Sequence, residues 1–140
     1  MYVKKVETDQ ELQDAFEVRK EVFVNEQRVP EELELDAFDQ TATHFVLYAE
    51  EQASGAGRFR IKDGKGKVER VCVMKTLRGQ QAGVLLMTEI EKYAQDTGLP
   101  ALILNAQTHA LGFYEKLGYR VISDEFMDAG IPHFTMQKEL

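Results

Sequence analysis

Residues Val68–Thr97 read VERVCVMKTLRGQQAGVLLMTEIEKYAQDT, and the spacing of their apolar side chains changes along the stretch. From Val68 to Met74 the residues are mostly β-branched or apolar, which predicts a strand. Four apolar side chains then recur at the spacing of one helix face: Leu86, Ile90, Tyr93 and Ala94. Gly98 and Pro100 follow, as they do beyond the end of a helix. The stretch therefore predicts a strand, a loop and a helix in that order.

The loop Lys75–Gly83 has the properties of an anion-binding site. The first N–H groups of a helix lack intrahelical partners, and the helix dipole adds partial positive charge there. Such a helix start suits a phosphate or pyrophosphate. The chain has a net charge of −7, yet the only charged side chains from Arg70 to Thr88 are Arg70, Lys75 and Arg78. The alternative is an ordinary strand-to-helix connection, and neither a P-loop nor a dinucleotide-binding glycine motif is present.

Several segments resemble the GNAT superfamily of N-acetyltransferases. Val71-Cys72-Val73 followed by Arg78–Gly83 is similar to its acyl-CoA motif, and Gly112–Tyr119 is similar to its C-terminal motif. Three further segments resemble the ElaA/YjcF-like branch: Val22–Gln27, Asn105–Gln107 and Gly130–His133. The resemblance covers essentially the whole chain. It departs from the family at Gln81, where glycine is usual.

The resemblance implies a single N-acetyltransferase domain over residues 1–140, with an α/β GNAT fold. That fold is one mixed, mostly antiparallel sheet with helices on both faces and splayed central strands. The pattern of the chain agrees with it. Tight connections between His44–Glu50, Gly55–Lys62 and Lys67–Met74 predict antiparallel neighbours, and a strand at Ala101–Asn105, reached through the helix, predicts a parallel one.

The remaining elements follow from local signals. Thr8–Glu11 has the spacing of a capping box, which predicts a helix start, and Gly118 predicts the end of a helix. The other predicted elements are strands at Tyr2–Val6, Tyr119–Ile122 and His133–Gln137, and a helix at Ala110–Leu117.

The resemblance implies a binding site for acetyl-CoA between the splayed strands. It assigns eight residues to coenzyme A: Cys72, Val73, Arg78, Gly79, Gln81, Gly83, Val84 and Asn105. The main chain at Cys72 and Val73 is expected to bind the pantetheine arm, with Asn105 bonding its amide. The N–H groups of the loop are expected to bind the pyrophosphate, and Arg78 to add charge. At Gln81 a left-handed conformation would cost about 1 kcal/mol or more.

Two residues are predicted to be catalytic. Tyr114 matches the family tyrosine that bonds the coenzyme A sulfur, which makes it the candidate general acid; the alternative is a core aromatic residue. Glu69 is the candidate base, directly or through water. The alternative for Glu69 is an ion pair with Arg58 or Arg60 on the preceding strand. His109, beside the expected thiol end, is a further candidate for base or acceptor contact.

The segment Asn25–Thr43 is rich in carboxylates and has no helical period. It is interpreted either as a solvated loop or as an acidic rim that attracts a cationic amine. Arg19 lies in an apolar stripe of the preceding helix, and is interpreted as salt-bridged or snorkelling, or as facing substrate. Packing or hydrogen-bonding roles are expected for His44 and His133, which both begin strands.

Composition restricts the remaining function classes. A pI of ≈ 5.0 argues against a general nucleic-acid binder, and no apolar run approaches the roughly 18 residues of a membrane span. A single cysteine fits a reducing cytoplasm. Three histidines and this cysteine show no metal-ligand spacing, and a homodimer is left open.

The function predicted is direct transfer of an acetyl group from acetyl-CoA to a primary amine in a ternary complex. The acceptor is a small molecule or a protein amine. The alternative is a non-catalytic module that binds acyl-CoA for regulation or interaction.

Overall fold

The computed structural model describes all 140 residues. Its strands are β1 (Tyr2–Lys5), β2 (Thr43–Ala49), β3 (Gln52–Lys62), β4 (Lys65–Val73), β5 (Ala101–Gln107), β6 (Arg120–Val121), β7 (Phe126–Asp128) and β8 (Ile131–Glu139). Its helices are α1 (Asp9–Arg19), α2 (Glu31–Glu34), α3 (Ala82–Asp96) and α4 (Leu111–Lys116). A π-helical turn continues α1 over Lys20–Glu26. No helix is both long and apolar enough to cross a membrane.

The strands form one mixed sheet in the order β1-β2-β3-β4-β5-β8-β6, with β7 paired to β8. The β2–β3 and β3–β4 pairs are antiparallel and the β4–β5 pair is parallel, as predicted from the connections. Strand β1 also pairs antiparallel with β2. Helix α3 covers one face of the sheet over a core that includes Leu86, Ile90 and Leu102. Helix α1 covers the other face over a smaller cluster that includes Val18 and Cys72. The expected fold class is confirmed.

Local signals determine most element ends. The capping box is present, because Glu11 N–H donates to Thr8 Oγ1 at 3.1 Å and Thr8 N–H donates to Glu11 Oε1. Gly118 follows α4 with a φ of +99°. Helix α1 ends at Arg19 and passes directly into the π-helical turn, and neither this turn nor β7 was predicted.

Strand β4 leaves its parallel partner halfway along its length. Pairing with β5 covers only Gly66–Val68. Arg70 has a φ of +58° and lies at a β-bulge, where β4 has one more residue than β3. Because a bulge bends a strand and increases its twist, β4 diverges from β5 beyond this point. The edge of Glu69–Val73 that faces β5 has no strand partner, and a gap opens between the two strands.

The bulge also determines which face of the sheet each β4 side chain takes. Val71 and Val73 pack against the core on the α3 face. Glu69 binds Arg58, whose guanidinium reaches Asp39, a partner of Arg19 on α1. Glu69 therefore lies on the α1 face. Strict alternation would have placed it with Val71 and Val73.

Candidate active site

The gap between β4 and β5 widens into a cavity of ≈ 700 Å³. Six of the ten site residues predicted from sequence line it: Glu69, Cys72, Val73, Arg78, Asn105 and Tyr114. The other four lie at the start of α3, outside the cavity: Gly79, Gln81, Gly83 and Val84. The cavity passes through the sheet, because its lining includes Tyr114 from the core on the α3 face and Cys72 from the α1 face.

Tyr114 is held by aromatic packing and leaves its hydroxyl free. Its ring makes edge contacts with Phe113 and Tyr119, at centroid distances of 5.0 and 5.8 Å. The side chain is only 8% exposed, and no protein group bonds its hydroxyl. Burial raises the pKa of the Tyr114 phenol well above its usual value. The phenol therefore stays protonated and can donate a hydrogen bond into the cavity.

Cys72 and Asn105 face the cavity from its two strands. Burial raises the pKa of the Cys72 thiol to about 12, so this thiol is a poor nucleophile. Asn105 Oδ1 accepts a hydrogen bond from Thr135 Oγ1 at 2.8 Å, and its amide nitrogen has no protein acceptor. An unpaired amide at the mouth of a gap suits a ligand carbonyl.

The start of α3 presents a set of free N–H groups. The backbone nitrogens of Gly79, Gln81, Gly83 and Val84 donate to no protein acceptor. Gly83 lies against Phe113, whose ring would be 3.0 Å from an added Cβ. The helix start therefore has the unsatisfied donors that anion binding requires.

The Arg78 side chain is held by two other contacts and makes none with the start of α3. Its Nη2 donates to Glu26 Oε1 at 2.7 Å, and its Nε donates to the Val73 carbonyl at 3.1 Å. Arg78 thus links the π-helical turn to the end of β4 across the mouth of the gap, and it occupies one main-chain group that was predicted to bind pantetheine. Nothing in the sequence predicted the pairing with Glu26.

Gln81 has the backbone conformation that is unfavourable for a residue with a side chain. Its φ is +67°, in the left-handed region, and its side chain makes no capping hydrogen bond. Glutamine could replace glycine at this position without a steric cost only if φ were negative. The positive φ of Gln81 therefore carries that cost.

Gln81→Gly is expected to raise the free energy of unfolding by up to about 1 kcal/mol, because glycine adopts positive φ without a steric cost. Urea denaturation measures the change. Gln80→Gly is the matched control, since Gln80 lies outside the left-handed region and should gain nothing. Equal stabilisation by both substitutions would contradict the steric cost assigned to the positive φ of Gln81.

Glu69 is surrounded by cations. Its Oε1 accepts from Arg58 Nη2 at 2.9 Å and from Arg60 Nε at 2.8 Å, and Lys67 Nζ lies 3.3 Å from Oε2. Burial alone would raise the pKa of Glu69, but the hydrogen bond from Arg60 and the charges of Arg58 and Lys67 lower it to about 2. Glu69 is therefore ion-paired with Arg58 and Arg60, as in the alternative interpretation of the sequence. A carboxylate that cations hold in its charged form is a weak base.

The lowered pKa of Glu69 predicts acid sensitivity. A carboxyl whose folded pKa is depressed contributes stability above its unfolded pKa and loses it as the pH falls through the folded value. The free energy of unfolding is therefore expected to fall between pH 4.5 and about 2. Glu69→Gln should give a shallower fall in urea midpoints measured across this interval. An unchanged slope would contradict the prediction.

The acidic segment after the π-helical turn folds onto two buried arginines. Arg19 Nε donates to Glu34 Oε1 and Arg19 Nη1 donates to Asp39 Oδ1, both at 2.7 Å. Arg58 Nη1 donates to Asp36 Oδ1 at 2.7 Å and to Asp39 Oδ1 at 2.9 Å. The two arginines are 0% and 1% exposed. The salt-bridged interpretation of Arg19 is confirmed, and both the solvated-loop and the acidic-rim interpretations are wrong for Glu34 and Asp39.

The β7–β8 hairpin adds two cavity residues that were not predicted for the site, Asp128 and His133. The hairpin turns at Ala129 and Gly130, which both have positive φ, as in a type I′ turn. The family resemblance includes Gly130, but the sequence does not predict a strand at Phe126–Asp128, and it therefore does not predict a hairpin beside the cavity.

The other two histidines have different surroundings. His109 also lines the cavity, where its Nε2 lies 2.6 Å from Gln107 Oε1. His44 lies beneath the acidic segment, with its Nε2 2.9 Å from the Asp39 carbonyl. The packing or hydrogen-bonding role expected for His44 agrees with this position.

Comparisons with known proteins agree with the fold. The family model of the acetyltransferase (GNAT) domain matches residues 3–140. YjcF, an uncharacterized N-acetyltransferase of Bacillus subtilis strain 168, is 52% identical over 132 residues, which cover 94% of each chain. The crystal structure of Escherichia coli ElaA has a TM-score of 0.87 and 24% identity, with 98% of both chains covered.

A PaiA N-acetyltransferase of Thermoplasma acidophilum, solved in complex with coenzyme A, has a TM-score of 0.75 and 17% identity, with 100% of both chains covered. At this identity the likeness shows a shared fold. The family match over nearly the whole chain and the high identity to YjcF establish membership: the chain belongs to the GNAT family of acetyltransferases, in its ElaA/YjcF-like branch.

Proposed function

We propose that this protein transfers an acetyl group from acetyl-CoA directly to a primary amine, with both substrates bound together. The observation that carries the proposal is the gap between β4 and β5, which has an unpaired strand edge along one side. The free N–H groups of the α3 start lie beyond one end of it. The free hydroxyl of Tyr114 lies in its lining.

The gap suits a pantetheine arm because that arm carries amide groups. Its amides can bond the main chain of β4 near Cys72 and Val73 in place of a neighbouring strand, and the Asn105 amide can donate to one carbonyl. The pyrophosphate would then bind the N–H groups at the α3 start, the favoured position for an anion.

Binding in this mode requires Arg78 to leave the Val73 carbonyl. Its ion pair with Glu26 is exposed, with side chains 41% and 37% accessible, and exposed pairs contribute little to stability. Replacing Glu26 by a phosphate as the partner of Arg78 therefore costs little free energy. The Arg78 guanidinium would then add positive charge beside the pyrophosphate, which is the role predicted from the sequence.

Tyr114 is proposed as the general acid. As the amine attacks the thioester carbonyl, the C–S bond breaks and the sulfur leaves as a thiolate that takes a proton from the phenol. The raised pKa of Tyr114 would oppose this transfer to a thiol in water. Burial inside the cavity raises the pKa of a thiol as well, because it disfavours the thiolate, and this effect opposes the difference between the two groups.

Direct transfer is favoured over a covalent acyl-enzyme. The chain has one cysteine, Cys72, whose burial keeps it as an uncharged thiol. A nucleophile needs an adjacent base or a lowered pKa, and no hydrogen bond joins the Cys72 thiol to a base.

The test measures release of the coenzyme A thiol from acetyl-CoA over a panel of primary amines. Turnover with intersecting initial-velocity lines is expected for a ternary complex. Parallel lines would indicate a covalent intermediate and contradict direct transfer. Acetyl-CoA binding without turnover on any small or protein amine would instead support the non-catalytic binding module.

A further inference from the structure

We infer that the β7–β8 hairpin forms the acceptor site, in which Asp128 binds the ammonium group of a singly charged amine and His133 Nε2 takes the proton that the amine nitrogen releases when it attacks the thioester. The inference rests on the proposed acetyl transfer and deepens it. It assigns the base role to a residue other than Glu69, and it specifies the class of acceptor: a primary monoamine on an apolar body.

The ring of His133 is fixed in one orientation. Its Nδ1 lies 2.7 Å from the Ile131 carbonyl, and because a carbonyl only accepts, Nδ1 carries the hydrogen. The ring also stacks on Phe126, with centroids 5.9 Å apart and planes inclined by 22°. His133 is 8% exposed. In the neutral ring the lone pair therefore lies on Nε2.

His133 Nε2 opens toward the cavity. It has no protein hydrogen-bond partner, and His44 Nδ1 is the only fully enclosed side-chain polar atom that lacks one. The unpartnered Nε2 of His133 is therefore accessible, and the residue lines the cavity that also contains Tyr114. A base and an acid thus lie in one cavity, on different elements.

Asp128 is the only carboxylate of the cavity lining without a cationic partner. Glu26 is paired with Arg78, Glu34 with Arg19, and Glu69 with three cations. No ion pair or hydrogen bond neutralises the side chain of Asp128. A cationic amine that enters the cavity therefore finds one unneutralised carboxylate, next to the β8 strand that carries the base.

The π-helical turn and the segment after it contribute apolar side chains to the cavity lining but no free carboxylate, because Glu26 and Glu34 are paired with arginines. The apolar residues of these two elements that line the cavity are Val22, Phe23, Val29 and Leu33. A second ammonium group on the acceptor would find no free carboxylate there, and desolvating it would cost free energy. The lining therefore favours a monoamine with an apolar body over a polyamine.

The proton balance is complete. The acceptor ammonium binds at Asp128 and gives one proton to solvent, and the neutral nitrogen attacks the thioester carbon. The C–N bond forms, the C–S bond breaks, and the nitrogen gives its second proton to His133 Nε2. The thiolate takes the Tyr114 proton, after which His133 returns a proton to solvent and Tyr114 regains one.

Steady-state kinetics with acetyl-CoA and 2-phenylethylamine as the probe separate the two roles. His133→Asn is expected to lower kcat by about 10²- to 10⁴-fold, because asparagine keeps a donor for the Ile131 carbonyl and lacks the base. Asp128→Asn is expected to raise the KM for the amine about tenfold with little change in kcat. Asp124→Asn, on the exposed loop before β7, is the matched control and should leave that KM unchanged.

Two further kinetic results bear on the inference. His109→Asn should not reproduce the loss of kcat expected for His133→Asn, because His109 Nε2 already lies 2.6 Å from Gln107 Oε1. Spermidine should react less efficiently than 2-phenylethylamine. Wild-type turnover by His133→Asn, a loss confined to His109→Asn, or a preference for spermidine would overturn the inference.

A second measurement needs no turnover. Imidazole nitrogen NMR is expected to show His133 with its hydrogen on Nδ1, and its Nε2 signal should shift when 2-phenylethylamine is added with coenzyme A. The shift should be lost in Asp128→Asn. A hydrogen on Nε2, or no shift, would overturn the acceptor site even where calorimetry shows coenzyme A binding. Absence of coenzyme A binding would instead remove the proposed function.

Discussion

Tyr114→Phe is expected to lower kcat for coenzyme A release by about 10²- to 10⁴-fold, the range for loss of a general acid, while acetyl-CoA affinity stays close to that of the wild type. The hydroxyl bonds no protein group and the ring packs between Phe113 and Tyr119. Removing one oxygen therefore leaves the packing intact and removes the proton donor.

The measurement is the single-turnover rate of thiol release, together with calorimetric titration of acetyl-CoA. Tyr93→Phe is the matched control, because Tyr93 packs against the same core but does not line the cavity. A variant of Tyr114 with wild-type turnover would remove this residue from the acid role. A weakened affinity for acetyl-CoA with unchanged kcat would indicate a binding role instead.

Asp39→Ala is expected to lower the free energy of unfolding by about 3–5 kcal/mol. The carboxylate holds two guanidinium groups, those of Arg19 and Arg58, which are 0% and 1% exposed. Burial opposes ionisation of Asp39, but hydrogen bonds from Arg19, the Asp36 backbone and Arg58 hold its pKa well below its usual value. Removing it leaves two buried cations with incomplete partners.

Urea denaturation followed by circular dichroism measures this change. Glu32→Ala is the control, since Glu32 lies in the same acidic segment, is exposed and makes no ion pair. Its loss should change stability by less than about 0.5 kcal/mol. A similar, small change for both substitutions would contradict the structural role of the buried network.

The arrangement of the sheet could be predicted from the sequence because its signals are local. The hairpin turn at Asp63-Gly64 and the helix between Val73 and Ala101 decide which strands are antiparallel and which are parallel. The Thr8 capping box and Gly118 act within one or two turns of chain. Each of these signals depends on residues close in sequence.

The parts of the site that were not predicted depend on contacts between distant residues. The bulge at Arg70 moves Glu69 to the face of Arg58, and alternation along one strand does not show where a bulge falls. The left-handed φ of Gln81 is a property of the loop path. Arg78 meets Glu26 from 52 positions away, a pairing that charge counting along the chain does not reveal.

The proposed acceptor site was the least predictable part. His133 begins a strand in the sequence, where packing is the ordinary role, and only the hairpin brings its ring to the cavity. Asp128 is distinguished from the other carboxylates of the cavity only by its lack of a cationic partner, and the sequence does not show which carboxylates are paired.

Calorimetric titration of the wild-type protein with acetyl-CoA tests the central claim most directly. We expect one binding site per chain and a rise in melting temperature that grows with ligand concentration, as for any ligand that binds only the folded state. No heat of binding and no rise in melting temperature at millimolar acetyl-CoA would contradict the assignment of the gap between β4 and β5 to this substrate.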